Sequence, residues 1–360
     1  MNKPQTAAGK DTLTEILSQP RCWRDCLSAL ETDGQLERIQ EQIAPEAEWL
    51  FIGCGSSYYI AQAAAASWTA LTGRHARAIP ASELLLFPDL ILTDPSLCQP
   101  VLISRSGYTS EVLRAADYLE RKKNVRTLAI SCVTDQPLEK ITTATLYLLH
   151  ADEKSTVMTR SFTSMLLGLQ ALAASVAQNQ NFTLALRRLP GPAQAALDHM
   201  NPRIRDFVGS MEFEDYVFLA QGPLVGLAAE AQLKVKEMSC SYAQAYHTLE
   251  FRHGPKAIVS PKTLLTFLLS ERAYEAELEV LQETKELGAT TAVVTNVADP
   301  RARDSADLLL ELNLDVPEFA RLAAYAFAGQ LLGLYTGLQK GHDPDTPRNL
   351  SRVVILNDAH

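Results

Sequence analysis

Glu230, Lys234 and Glu237 recur at four- and three-residue intervals, the spacing that stacks side chains on one face of a helix. Their neighbours in EAQLKVKEMS are mostly Ala, Leu, Val and Met, so some of these charges sit where water is scarce. A charge so placed is costly unless a partner or a substrate uses it. Beyond the helix come Tyr242, Tyr246 and His247, then Glu250, Arg252 and His253, closed by Gly254-Pro255. Gly-Pro sets a sharp turn, which holds His253 at a rigid corner. A carboxylate on a helix and an imidazole on a fixed turn make an acid/base pair. The same residues also fit a helix with a surface ion-pair stripe and a turn histidine.

The rest of the chain bounds what such a pair acts on. At 360 residues it has room for about two domains. Its 47% hydrophobic and 21% charged residues are those of an ordinary globular protein. Acidic residues outnumber basic ones by 42 to 33, net charge −9, and the longest basic run is the RKK ending at Lys123, which argues against nucleic-acid binding. An anion must then be held locally, by backbone N–H groups, hydroxyls and one or two cations. No apolar run approaches the roughly eighteen residues of a membrane span, and MNKPQTAAGKDTLTEIL lacks the apolar core of a signal peptide; a cytoplasmic protein is expected. The six cysteines are scattered. Cys22 and Cys26 have helical spacing and no second ligand pair, so buried free thiols are expected and no metal.

The elements that must position the chemistry follow in order. Residues 12–43 read as two amphipathic helices with Pro20 opening the second, a helical arm over 1–44. From Glu48 the pattern is strand then helix: WLFIGCGSS and a helix over 58–71, VLISRSGYTS and a helix over 110–123, RTLAISCV and a short helical stretch after Asp135, LYLLHADE and a helix over 162–178. Strands apolar throughout and alternating with helices predict a parallel, doubly wound α/β sheet. A proline-bearing helical linker follows, and the order restarts: DYVFLAQGP repeats the first strand and loop, TLLTFLLS the second, TTAVVTNV the third, and 306–314 the fourth, at an offset of about 165 residues. Two tandem flavodoxin-like units over 45–190 and 205–360 are expected.

In such a sheet the ligand lies beyond the carboxyl ends of the strands. Cys54-Gly55-Ser56-Ser57 and Ser104-Arg105-Ser106-Gly107-Tyr108-Thr109 each bring hydroxyls and backbone N–H groups to a helix start, which suits a phosphate. Plain helix caps are the alternative reading. Neither loop is a P-loop or a dinucleotide fingerprint, so no cofactor is expected. A third hydroxyl-rich segment, STVMTRSFT, spans Ser155 to Thr163.

The loops CGSS, SRSGYT and TRSFT, the helix LKVKEMS, the turn EFRHGP and the terminal DPDTPRNLSRVV together resemble the SIS (sugar isomerase) family over roughly residues 45–355. More narrowly, they resemble the isomerase half of glucosamine-6-phosphate synthase and its amino-sugar-phosphate deaminase/isomerase relatives. The resemblance implies that Ser56, Ser57, Ser104, Ser106 and Thr109, with Arg105 beside them, hold the phosphate of a sugar phosphate. It implies that Glu237 moves the proton between C1 and C2, that His253 opens the ring from a neighbouring subunit of a homodimer with shared active sites, and that Lys234, Thr156 and Arg352 contact the sugar. An aldose–ketose shift suits one carboxylate above an enediol plane, imidazole suits the ring-opening proton, and an ammonium suits the enediol oxygen. Arg105 stands where the synthases carry Gln, as in the deaminase branch; Arg352 and Arg160 stand where the family keeps lysines. No cysteine amidotransferase segment is read in the chain, so glutamine is not expected to donate ammonia. The expected activity is amino-sugar-phosphate isomerisation and deamination, with a plain ketose/aldose phosphate isomerase and a sugar-phosphate sensor as alternatives.

Overall fold

The computed structural model describes residues 8–44 and 46–356. Residues 1–7 of the arm, Pro45 and residues 357–360, where two of the expected boundaries fall, lie outside the described residues.

The chain opens with α1 (Lys10–Leu17), α2 (Gln19–Thr32) and α3 (Gln35–Gln40), three helices where two were expected. The extra break is at Gly34, whose positive φ of 59° ends the second helix and starts the third. Next come β1 (Glu48–Gly53), α4 (Ser56–Thr72), β2 (Ala76–Pro80), the short α5 (Ala81–Leu86) and α6 (Pro88–Ile91), β3 (Cys98–Ile103), α7 (Ser110–Asp117), β4 (Leu128–Ser131), β5 (Ala144–Tyr147) and α8 (Arg160–Val176). The strands form one parallel sheet in the order β2-β1-β3-β4-β5. The expected stretch after Asp135 is only a set of hydrogen-bonded turns over 137–142.

The expected linker is α9 (Gln180–Arg188) and α10 (Pro190–Ser210), with Pro190 in the first turn, where its missing N–H costs nothing. The second sheet is built from β6 (Asp215–Ala220), β7 (Tyr242–His247), β8 (Thr263–Leu268), β9 (Thr290–Thr295) and β10 (Leu308–Glu311), parallel, in the order β10-β9-β8-β6-β7. Around it lie α11 (Val225–Ser239), α12 (Tyr274–Glu286), α13 (Pro300–Asp304) and α14 (Leu322–Gln339). Both sheets thus have the same order, which confirms the duplication. Each also carries an edge strand that the apolar-run criterion misses. In β2, Arg77 pairs across the strand with Glu48 at 2.7 and 3.0 Å; in β7, YAQAYH mixes polar and apolar residues.

The chain divides into two compact units. An N-terminal unit comprises Arg21–Glu153, Arg160–Arg187 and the described part of Ser351–His360. A C-terminal unit comprises Lys154–Thr159 and Arg188–Leu350, together with the segment before Arg21 that holds α1. Each has its own apolar core, around Leu50, Leu102, Ala129 and Leu119 in the first and Val217, Leu265, Phe267 and Leu281 in the second. The arm is shared out accordingly: Trp23 of α2 donates Nε1–H to Thr163 Oγ1 at 2.9 Å, whereas α1 packs on α14. Four of the six free cysteines are buried, Cys54 is half-buried and Cys240 is exposed. No helix among the described residues is long and apolar enough to cross a membrane.

Candidate active site

In the N-terminal unit, Ile52 of β1 lies beside Leu102 of β3, so the two hydroxyl loops leave neighbouring strands at the same level. At Gly53 a Cβ would come within 2.5 Å of the Ser57 carbonyl carbon; only glycine lets α4 fold back so closely over the end of β1. Helix α4 starts at Ser56, two residues before its expected start, which brings both Ser56 and Ser57 into its first turn, buried. Its N-cap is Gly55. In the second loop the Ser104 hydroxyl accepts the Gly107 N–H at 3.1 Å and lies 3.3 Å from Thr109 Oγ1, and the Ser106 hydroxyl accepts the Tyr108 N–H at 3.2 Å. Gly107 has φ of 68°, and a Cβ there would strike the Gln136 side chain. Thr109 is the N-cap of α7 and makes no side-chain cap bond. In neither loop does the N-cap residue cap its helix with a side chain, and in the second the Ser104 and Ser106 hydroxyls accept N–H groups of the loop itself.

Arg105 is buried, with Nη1 3.3 Å from Glu153 Oε2 and Nη2 donating to the Arg352 carbonyl at 3.1 Å. Glu153, fully buried, also accepts from the Ser161 hydroxyl. The guanidinium is thus a strut that ties the loop to the terminal segment. Arg352 itself pairs with Asp152, and the segment continues so that Ser110 N–H donates to the Val354 carbonyl at 3.2 Å and Leu356 N–H to Ser110 Oγ at 3.0 Å. Over its described residues the tail is irregular and latches onto the start of α7. Arg160 is turned onto the Asp152 carbonyl.

In the C-terminal unit, α11 lies against α14 over a stripe of glycines. A Cβ on Gly329 would meet Ala231 at 2.3 Å, one on Gly333 the Lys234 carbonyl at 2.7 Å, and one on Gly337 the Met238 carbonyl at 2.3 Å. That close approach leaves Lys234 with 0% exposure and Glu230 with 1%, while the Glu237 side chain keeps 18%. Lys234 Nζ lies 3.2 Å from Glu230 Oε1 and also pairs with Glu237 Oε2. Burial pushes the Lys234 ammonium toward neutrality, but the two carboxylates outweigh it and its pKa is raised. Glu237 opens onto a cavity of about 390 Å³ that is also lined by Lys236, Cys240, Ser241, Arg348 and Leu350.

His253 is exposed, between the helical turns Glu250–Arg252 and Pro255–Ile258. Buried Phe251 anchors the corner, Arg252 pairs with Glu283 at 2.7 Å, and His253 N–H donates to the Glu250 carbonyl at 3.0 Å. Its imidazole makes no hydrogen bond or ion pair among the described residues of its own chain, Lys234 and Glu237 included. Thr156 lies in the loop 154–159, with its N–H on the Asp345 carbonyl at 3.3 Å.

In the second unit the loop after the corresponding strand is closed by a carboxyl of its own chain. After β8, Ser270 gives both its N–H and its hydroxyl to Glu277 of α12, at 2.7 and 2.8 Å, so a carboxylate fills the position that loop offers. Burial, against the two Ser270 bonds, pushes the Glu277 carboxyl up to about 7. Glu153, Glu15, Lys236 and Arg348 were not singled out from the sequence. Glu153 and Glu15 find partners far along the chain in Arg105 and Ser155, and Arg348 reaches the cavity beside Lys236 and Glu237 from more than a hundred residues away, so no local pattern marks them.

Two parallel units of one topology, one with a hydroxyl cradle and the other with a buried Lys–Glu cluster, define the class: the chain belongs to the SIS-domain family, whose model matches residues 42–175 and 215–332. Among curated relatives, glutamine–fructose-6-phosphate aminotransferase (isomerizing) of Pyrobaculum aerophilum is 26% identical over 359 residues, 96% of this chain and 57% of that one. The chain thus spans little more than half the length of such relatives. Among solved structures, glucosamine-6-phosphate deaminase from Thermotoga maritima superposes with a TM-score of 0.77 at 29% identity, covering 96% of this chain and 100% of the other. Tagatose-6-phosphate ketose/aldose isomerase from Escherichia coli superposes at 0.83 with 22% identity, covering 99% of each, a likeness of fold.

Proposed function

We propose that the chain is an amino-sugar-phosphate isomerase/deaminase, which converts a 2-amino-2-deoxyhexose 6-phosphate, or a related ketosamine phosphate, to a ketohexose 6-phosphate and ammonia. The observation that carries this reading is Glu237: the one carboxylate of a buried Lys–Glu cluster that opens onto a cavity. The full-length likeness to the Thermotoga deaminase supports amino-sugar phosphates as substrates.

In this reading Ser56, Ser57, Ser104, Ser106 and Thr109 hold the phosphate, and Arg352 and Thr156 the sugar. Arg105, its charge shared with Glu153, keeps the loop in place. His253, exposed on its own chain, passes the ring-opening proton in the neighbouring subunit of a homodimer. Glu237 then removes the C2 proton; the electron pair forms the C1=C2 bond while O1 gains a proton, which gives an enolamine. The same carboxyl returns the proton to C1, the C2 imine forms, water adds to C2 and ammonia leaves. One water enters for each ammonia released, and no redox change occurs. Lys234 holds the carboxylate in place through their ion pair, and its charge favours the electron-rich intermediate.

Assay of gluco and galacto 2-amino-2-deoxyhexose 6-phosphates should give one ammonia per ketohexose 6-phosphate. Interconversion of ketose and aldose phosphates without ammonia would favour the plain isomerase, and binding with no turnover in any arm would favour a sensor.

A further inference from the structure

We propose that α1 is a positioning element of this site, and that Glu15 is its positioning residue. Glu15 is the buried carboxylate of α1, and its target is the loop 154–157. Oε1 accepts the N–H of Lys154 at 2.6 Å and of Ser155 at 3.4 Å, and Oε2 accepts the Ser155 hydroxyl, which also lies 3.2 Å from the Val157 carbonyl. One carboxylate thus satisfies three donors of a loop that carries no regular structure of its own. The far end of that loop is held too: Gln19, just beyond α1, donates to Gln330 Oε1 at 2.7 Å, and Gln330 of α14 donates to the Thr159 carbonyl at 3.2 Å.

The first turn of α1 grips a second segment. Gly9 N–H donates to Asp343 Oδ1 at 2.9 Å, Asp11 N–H to Asp345 Oδ2 at 3.1 Å, and Thr12 gives both its N–H and its hydroxyl to Asp345 Oδ1 at 2.7 Å. Two carboxylates at a helix N-terminus neutralise N–H groups that have no intrahelical partner. The carbonyl of Asp345 in turn receives the Thr156 N–H, so the two segments gripped by α1 are bonded to each other. Three to five residues further on, Arg348 and Leu350 line the cavity onto which Glu237 opens. Helix α14, on which α1 packs, is the helix against α11. A single eight-residue helix therefore sets the loop bearing Thr156 and one wall of the Glu237 cavity, and this is the role of the start of the arm.

The functional half of this inference rests on the reading of Thr156 and Glu237 given above; the structural half does not. The test uses the full chain with Glu15→Gln, which leaves one acceptor oxygen for three donors, and Glu15→Asp, which keeps both oxygens. Hydrogen exchange of the 154–157 amides should speed up roughly tenfold or more in Glu15→Gln, the loss of one well-made bond, and less in Glu15→Asp. With an amino-hexose 6-phosphate, KM should rise more than kcat falls, with partial recovery in Glu15→Asp. Unchanged exchange in 154–157 together with unchanged KM would overturn the proposal. Faster exchange beside a wild-type protein that turns over no amino-sugar phosphate would uphold the positioning and overturn the activity. If Glu15→Gln does not fold, Thr12→Val keeps the helix N–H and removes one bond to Asp345; exchange at Thr156 should still rise, and no change there would sink the idea.

Discussion

A lysine with no solvent exposure between two glutamates is an expensive arrangement, because desolvating each ion costs several kcal/mol that the pairing must recover. Removing the central charge while leaving both carboxylates makes the cost plain. Lys234→Met should destabilise the protein by about 3 to 5 kcal/mol, measured by denaturant unfolding. Glu237→Gln should fold normally, and lose at least about a hundredfold in kcat, since it removes the proton carrier and keeps the shape. Ser104→Ala and Thr109→Val should raise KM more than they lower kcat, because phosphate contacts change little between ground and transition states; a loss confined to kcat would contradict their role. The Lys–Glu stripe was legible because charges at helical spacing among Ala, Leu, Val and Met announce burial. Glu153 and Glu15 were not, because their partners Arg105 and Ser155 lie far along the chain and no local pattern marks the pairing.

Among elements, α11 depends on the glycine stripe of α14. Gly333→Ala should cost about 1 to 3 kcal/mol by overpacking against the Lys234 carbonyl, and should depress activity through the displacement of Glu237. Helix α12 supplies a pH signature. The Glu277 carboxyl titrates near 7 in the folded chain against 4.5 when unfolded, so its protonated form is the favoured one in the fold. Its contribution is complete below pH 4.5 and declines as pH rises through 7, by about 3 kcal/mol in all. Glu277→Gln should therefore unfold later than the wild type at pH 8 and at much the same point at pH 4.5, and equal shifts at both would contradict the assignment. The apolar strands were legible as continuous runs. Edge strands β2 and β7 were not, since Arg77 interrupts the first and Gln244 and His247 the second.

At the scale of the whole molecule, the repeat at about 165 residues was legible because both copies keep the same apolar strands in the same order. That Glu277 occupies the Ser270 loop of the second copy was not, because Ser270 and Glu277 look like ordinary helix-start residues. In the proposed reading the protein is a dimer in which each active site borrows one imidazole, the exposed His253 of the neighbouring subunit. Mixing Glu237→Gln and His253→Asn subunits, each inactive alone, should restore about a quarter of the wild-type activity, because half of random dimers carry one intact site of two. No recovery on verified subunit exchange would place His253 in its own chain's site or outside the reaction.

The central claim is that one carboxylate, Glu237, moves a proton between C1 and C2 of an amino-sugar phosphate. Its most direct test is the fate of the label in a 2-deuterated 2-amino-2-deoxyhexose 6-phosphate. The expected result is a primary isotope effect, deuterium appearing partly at C1 of the ketose and partly in solvent, and no label movement in Glu237→Gln. Label that stays at C2 during turnover, or movement at the same rate in Glu237→Gln, would contradict it.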